Sequence, residues 1–174
     1  MSSSKTPIGV IVVTHGKLAE ELVSAARMIV GAEAAHLVAL SIGWNDPLEV
    51  AREQVRAAIS AADTGGGVIV LSDMFGGTPT NLCLSFLARD KVEIITGANL
   101  PMVVKCTNLE RELSQGMSLR QVAESVASRG AESVIVASAM LEPEDDGCAN
   151  PPHRSTPSPG SGGAPPRGGE SRRG

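Results

Sequence analysis

The chain has 174 residues, which is room for one domain of ordinary size, and its 42% hydrophobic content, mostly Ala, Val, Leu and Ile, is enough for a core. Only Trp44, Phe75 and Phe86 are aromatic and the formal charge is −4, so base-stacking platforms and a basic phosphate-binding surface are both excluded and no nucleic-acid partner is expected. Cys83, Cys106 and Cys148 are widely spaced with no C-x-x-C, a usage that suits a reducing compartment and supplies neither a disulfide framework nor a zinc site.

The first element is a strand over 8–13, I-G-V-I-V-V, apolar on both faces as a buried parallel strand must be. Six residues are too few for a signal h-region or a membrane span, so a soluble, cytoplasmic protein is expected. Leu18, Leu22, Ala25 and Ile29 keep helical spacing, and Gly31 supplies the stop. A second strand is predicted over 36–42. Asp46-Pro47-Leu48-Glu49 then reads as a capping box opening a helix to about Ala62. A third strand is predicted over 67–72, and Thr78-Pro79 opens a helix carrying Leu82, Cys83, Phe86 and Leu87. A fourth is predicted over 92–96, and Pro101 opens a further helix in a less regular stretch to 115. Ser118 with Gln121 caps a helix through Val122 and Val126 to Gly130, and a fifth strand is predicted over 133–138. Strict alternation of strand and helix predicts an α/β fold: an open, doubly wound, mainly parallel sheet of about five strands with helices on both faces.

The domain is expected over 8–140, between a disordered N-terminus at 1–7 and a disordered tail at 141–174. Pro and Gly fill 12 of the last 24 positions, and four Arg against one Glu give that stretch a net +3, leaving −7 on the remainder. Such a composition cannot bury enough surface to order itself. His153 lies within it.

Ligands of doubly wound sheets bind outside the carboxyl ends of the strands, where strand order reverses. His15 and Asp73 follow the first and third predicted strands at that edge and converge if those strands are neighbours. A histidine nucleophile needs one ring nitrogen unprotonated and aimed outward. A carboxylate accepting the N–H of the other nitrogen fixes the tautomer and raises basicity. Gly76 and Gly77 let backbone approach an anion, Thr78 and Thr14 offer hydroxyls, and the helix starting at Pro79 points free N–H groups the same way. Each feature alone is commonly structural; their joint placement at one edge favours a phosphoryl site. His36 begins a strand at the opposite edge and is expected to be structural, and Met74, Met102 and Met117 to be packing residues. No P-loop, G-x-G-x-x-G or G-x-S-x-G motif is present, and no cofactor or metal is expected.

Three blocks, I-G-V-I-V-V-T-H-G-K-L-A-E-E-L, then L-S-D-M-F-G-G-T-P-T-N, then I-I-T-G-A-N-L-P-M, together resemble the IIA domain of the mannose/fructose/sorbose class of the bacterial phosphoenolpyruvate:sugar phosphotransferase system (PTS). The similarity runs from residue 7 to about 140. The resemblance implies phosphorylation of His15 on Nε2, with Asp73 holding the Nδ1 side and Thr78 lining the phosphate site. It implies the HPr phosphocarrier as donor and a IIB histidine as acceptor, here on a separate IIB subunit, with the membrane involved only through the permease. It also implies a homodimer that exchanges a C-terminal strand, here 133–138. Phe75 stands where relatives often carry Trp. A regulatory phosphorylation-state sensor without transport flux is the alternative function, and His15 serves both.

Overall fold

The computed structural model describes residues 6–138. The expectations placed on residues 1–5 and 139–174, which include most of the N-terminal segment, the tail, Cys148 and His153, lie outside the described residues. Among the described residues there are four strands, β1 (Gly9–His15), β2 (Leu37–Ile42), β3 (Val68–Ser72) and β4 (Val92–Thr96). They form one all-parallel sheet in the order β2-β1-β3-β4. Parallel neighbours require crossovers, and these are supplied by α1 (Leu18–Val30), α2 (Leu48–Ala62) and α3 (Thr78–Leu84). After β4 come α4 (Leu100–Cys106), α5 (Glu110–Ser114) and α6 (Leu119–Glu132). The chain steps from β1 to β2 in one direction and returns past β1 to β3, so the order reverses between β1 and β3.

Alternation along β1 divides the core. Val10 and Val12 face one layer with Val23, Val103 and Val122, whereas Ile11 and Val13 face the other with Ala51, Val55 and Leu82. Burial of each such large apolar side chain contributes roughly 1.5–3 kcal/mol, and β1 and β3, covered on both faces, are apolar through their centres. Local punctuation follows the sequence at several ends. Gly31, with φ +67°, closes α1, and Ser118 and Gln121 complete both halves of a capping box at α6. Asn99 caps α4 by accepting the Met102 amide.

Three expectations are corrected. The fifth strand does not form: Ser133 to Val136 follow α6 as turn and irregular chain, with Val134, Ile135 and Val136 exposed at 79%, 60% and 72%. A strand is defined by its pairing partner, and among the described residues this run has none. Asp46 does not cap α2; its carboxylate turns back to accept the Gly43 amide at 2.6 Å, leaving Pro47 at the helix start without a side-chain cap. Gly130 does not end α6, which continues to Glu132. A Cβ at Gly130 would stand 2.6 Å from Met102 Cγ, so the glycine allows α4 and α6 to pack closely.

Candidate functional site

The carboxyl edge of the sheet gathers three loops. β1 runs on to His15, the last residue of the strand, and His15 pairs in register with Ile42 at the end of β2. Val13 pairs with Ser72 at the end of β3. In-register parallel strands therefore bring the residues after β2 and after β3 to either side of His15. On the β3 side, Asp73 Oδ2 lies 2.8 Å from His15 Nδ1 and also accepts the His15 backbone N–H at 3.0 Å. Asp73 Oδ1 accepts the Met74 amide at 2.9 Å. Burial pushes the Asp73 carboxyl up, but the hydrogen bonds from the His15 backbone and ring, the ring's charge and the Met74 amide outweigh it, so the carboxyl lies below the ordinary aspartate value. An ionised carboxylate has no proton to give, so Nδ1 carries the hydrogen, and in the neutral form of the ring the lone pair is left on Nε2.

His15 is held along a second edge. A Cβ at Gly77 would stand 2.5 Å from His15 Cε1 and 3.1 Å from Nε2, so only glycine lets the backbone come this close to the ring. Gly76, at φ +83°, turns the loop with open space beside it. Below the loop, the Thr80 hydroxyl donates to the Met74 carbonyl at 2.5 Å and lies 2.7 Å from Ser72 Oγ, and Asn81 Nδ2 donates to the Gly76 carbonyl at 3.2 Å. These bonds tie the loop to α3. Thr78 is exposed as the first residue of α3, where first-turn amides have no intrahelical partner.

Thr14 departs from expectation. It is fully buried, and its Oγ1 accepts the Ala19 amide at 2.7 Å. Alternation explains this: Thr14 follows Val10 and Val12 toward the α1 layer, whereas His15 follows Ile11 and Val13 toward the layer of α2 and α3. The Thr14 hydroxyl is thus committed to the first turn of α1. His36 lies at the amino edge as expected, 3.3 Å from the Cys106 carbonyl, beside a cavity of about 650 Å³ that does not reach His15. Met102 is buried as expected, whereas Met74 is exposed beside the site.

Sequence reasoning missed Trp44. It lies two residues past β2 in the loop that the Asp46–Gly43 bond closes, and its indole stacks on the His15 imidazole with ring centroids 5.1 Å apart and planes 24° apart. The available signal was the chain's one tryptophan standing just after a strand at the same carboxyl edge. Among the described residues, no group of three or more His, Cys, Asp or Glu has the arrangement of a metal site, and no helix is long and apolar enough to cross a membrane.

A parallel doubly wound sheet with a histidine–carboxylate pair at its switch point defines a class of α/β domain built around that pair. Comparison with known proteins narrows the class. The family described as the PTS system fructose IIA component (EIIA-man) matches residues 9–126, and the chain belongs to that family. It is similar to the PTS system mannose-specific EIIAB component of Escherichia coli strain K12, at 34% identity over 104 residues, 56% of this chain and 30% of that protein. The chain therefore matches less than a third of that relative's length. It is also similar to the PTS system fructose-specific EIIA component of Bacillus subtilis strain 168, at 29% identity over 136 residues, 78% of this chain and 90% of that one. Among solved structures, the PTS IIA protein associated with the fucose utilization operon of Streptococcus pneumoniae superposes with a TM-score of 0.64 at 26% identity, over 79% of this chain and 98% of that chain.

Proposed function

We propose that the chain is a phosphoryl carrier of a sugar phosphotransferase system, accepting phosphate from phospho-HPr on His15 Nε2 and passing it to a histidine of a IIB subunit. The observation that carries this reading is the 2.8 Å contact between His15 Nδ1 and the Asp73 carboxylate, which leaves the nitrogen beside Gly77 as the nucleophile. In the forward step the Nε2 lone pair attacks phosphorus in line, a P–N bond forms, and the donor's P–N bond breaks with its electron pair returning to the donor ring. The Nδ1 hydrogen stays in place, so the phosphorylated ring is cationic and faces the Asp73 carboxylate. No proton has to move during transfer, and positioning with charge stabilisation carries the rate. Gly76, Gly77 and Thr78 would cradle the phosphoryl oxygens through backbone and hydroxyl groups. That arrangement needs no lysine or arginine in an otherwise acidic domain.

The chain is further read as a homodimer that exchanges its C-terminal strand. Two observations support it. Among the described residues β4 is an edge strand whose outer side is bridged only at Val92, to Ala88, and Val134, Ile135 and Val136 are exposed apolar residues of strand-forming type. The mass in solution tests the exchange: a dimer is expected for the parent and a monomer for Ile135→Asp, and a monomeric parent would remove the dimer from the reading.

The function is tested by incubating the protein with phosphoenolpyruvate, the first phosphotransferase enzyme and HPr. The expected product is an acid-labile, alkali-stable phosphoryl group absent from His15→Ala. Persistence of label in that variant would sink the assignment. Asp73→Asn exchanges a charge-assisted hydrogen bond for a neutral one, a loss of about 1–1.5 kcal/mol, or roughly a tenfold slower phosphorylation.

A further inference from the structure

The indole of Trp44 is 81% exposed, so hydrophobic burial does little to fix its position. What it contacts is the His15 ring, whose side chain is only 16% exposed. The loop that presents it is tied at both ends by hydrogen bonds. The Asp46 carboxylate accepts the Gly43 amide and packs against the Gly43 Cα, where a Cβ would stand 2.7 Å from one of its oxygens, and Pro47 follows at once. The Gly16 amide donates to the Ile42 carbonyl at 2.9 Å, tying the loop after His15 to the strand end from which Trp44 emerges. A tryptophan face carries negative charge density and attracts a cation within about 6 Å of its centroid. Trp44 therefore meets the face of a ring whose Nδ1 edge already faces a carboxylate, so a phosphorylated ring carrying positive charge would lie between two groups that attract it.

We propose that Trp44 is a positioning residue that holds the face of His15 and stabilises the cationic, Nε2-phosphorylated ring by a cation–π contact. The inference rests on His15 being the phosphoryl acceptor. The neutral ring gains only the stacking contact, whereas the phosphorylated ring, with its hydrogen retained on Nδ1, gains the charge attraction as well. Trp44 thus biases the exchange of phosphate between the donor and this chain toward this chain. Because it is the chain's one tryptophan, its emission reports directly on the state of His15.

The test compares the parent with Trp44→Phe and Trp44→Ala. In the unphosphorylated protein, the ring protons of His15 are expected to show an upfield ring-current shift in proton NMR that is lost in Trp44→Ala and retained in part in Trp44→Phe. At equilibrium with phospho-HPr, the phosphorylated fraction of Trp44→Ala is expected to move roughly two- to fivefold toward the donor, with recovery in Trp44→Phe. Tryptophan emission is expected to change on phosphorylation of the parent and to stay constant in His15→Ala. An unshifted His15 spectrum, or an exchange equilibrium unaltered in Trp44→Ala, overturns the inference while the parent still labels normally. A change confined to the KM for HPr also overturns it, since that is the mark of a docking contact. A parent that takes no phosphoryl group overturns the proposed function itself.

Discussion

Replacing Gly77 with Ala places one methyl group against the nucleophile and leaves almost everything else untouched. The backbone at Gly77 has φ −73° and ψ 164°, a conformation alanine adopts without strain, so the effect is steric. The new Cβ would lie 2.5 Å from His15 Cε1, 3.1 Å from Nε2 and 3.2 Å from Met74 Cγ, where an ordinary contact begins at 3.4 Å. Relief requires the ring to move by about 1 Å, and a misplacement of that size at a reacting atom costs on the order of 100-fold in rate. Such a movement pulls Nδ1 from Asp73, a charge-assisted bond worth about 1.5–3 kcal/mol, which bounds the loss of stability. Quenched-flow phosphorylation by phospho-HPr is expected to slow by about two orders of magnitude, while far-ultraviolet circular dichroism remains that of the parent. A Gly77→Ala protein phosphorylated at the parental rate would refute the tight approach of this loop to His15 as a determinant of transfer.

Acid should destabilise the fold partly through Asp73. Its folded-state value lies below the ordinary 3.8, so as the pH falls the unfolded chain takes up a proton first. The stabilisation is complete above about pH 4–5 and is lost as the pH drops through the lower folded value. Thermal midpoints measured across that window should fall less steeply in Asp73→Asn, and an equally steep fall would remove Asp73 from the acid response. Ser118→Ala removes the reciprocal cap of α6 and is expected to cost about 1 kcal/mol in urea unfolding; no change would mean the cap is not formed in solution. Gly130→Ala is expected to destabilise by about 1–3 kcal/mol through overpacking against Met102, although alanine favours a helix interior, and a stabilised variant would show that α4 and α6 have slack between them.

Much of this architecture is local and therefore legible. The apolar runs that become β1 to β4 and the helical spacing of α1 and α2 depend on neighbours a few residues apart, as do the Gly31 stop and the Ser118–Gln121 box. His15 and Asp73 were legible as candidates because each directly ends or follows a buried strand at the same edge. What the sequence could not determine is lateral. The order β2-β1-β3-β4 puts Asp73, 58 positions away, on one side of His15 and Trp44 on the other. No spacing along the chain encodes the stack. The direction of a hydroxyl is equally invisible: Thr14 and His15 are adjacent in sequence, but the pleat sends Thr14 under α1 and His15 toward Gly77. The run Val134 to Val136 has the composition of a strand, but composition supplies only the propensity. Pairing is a tertiary fact, and among the described residues these side chains find no partner.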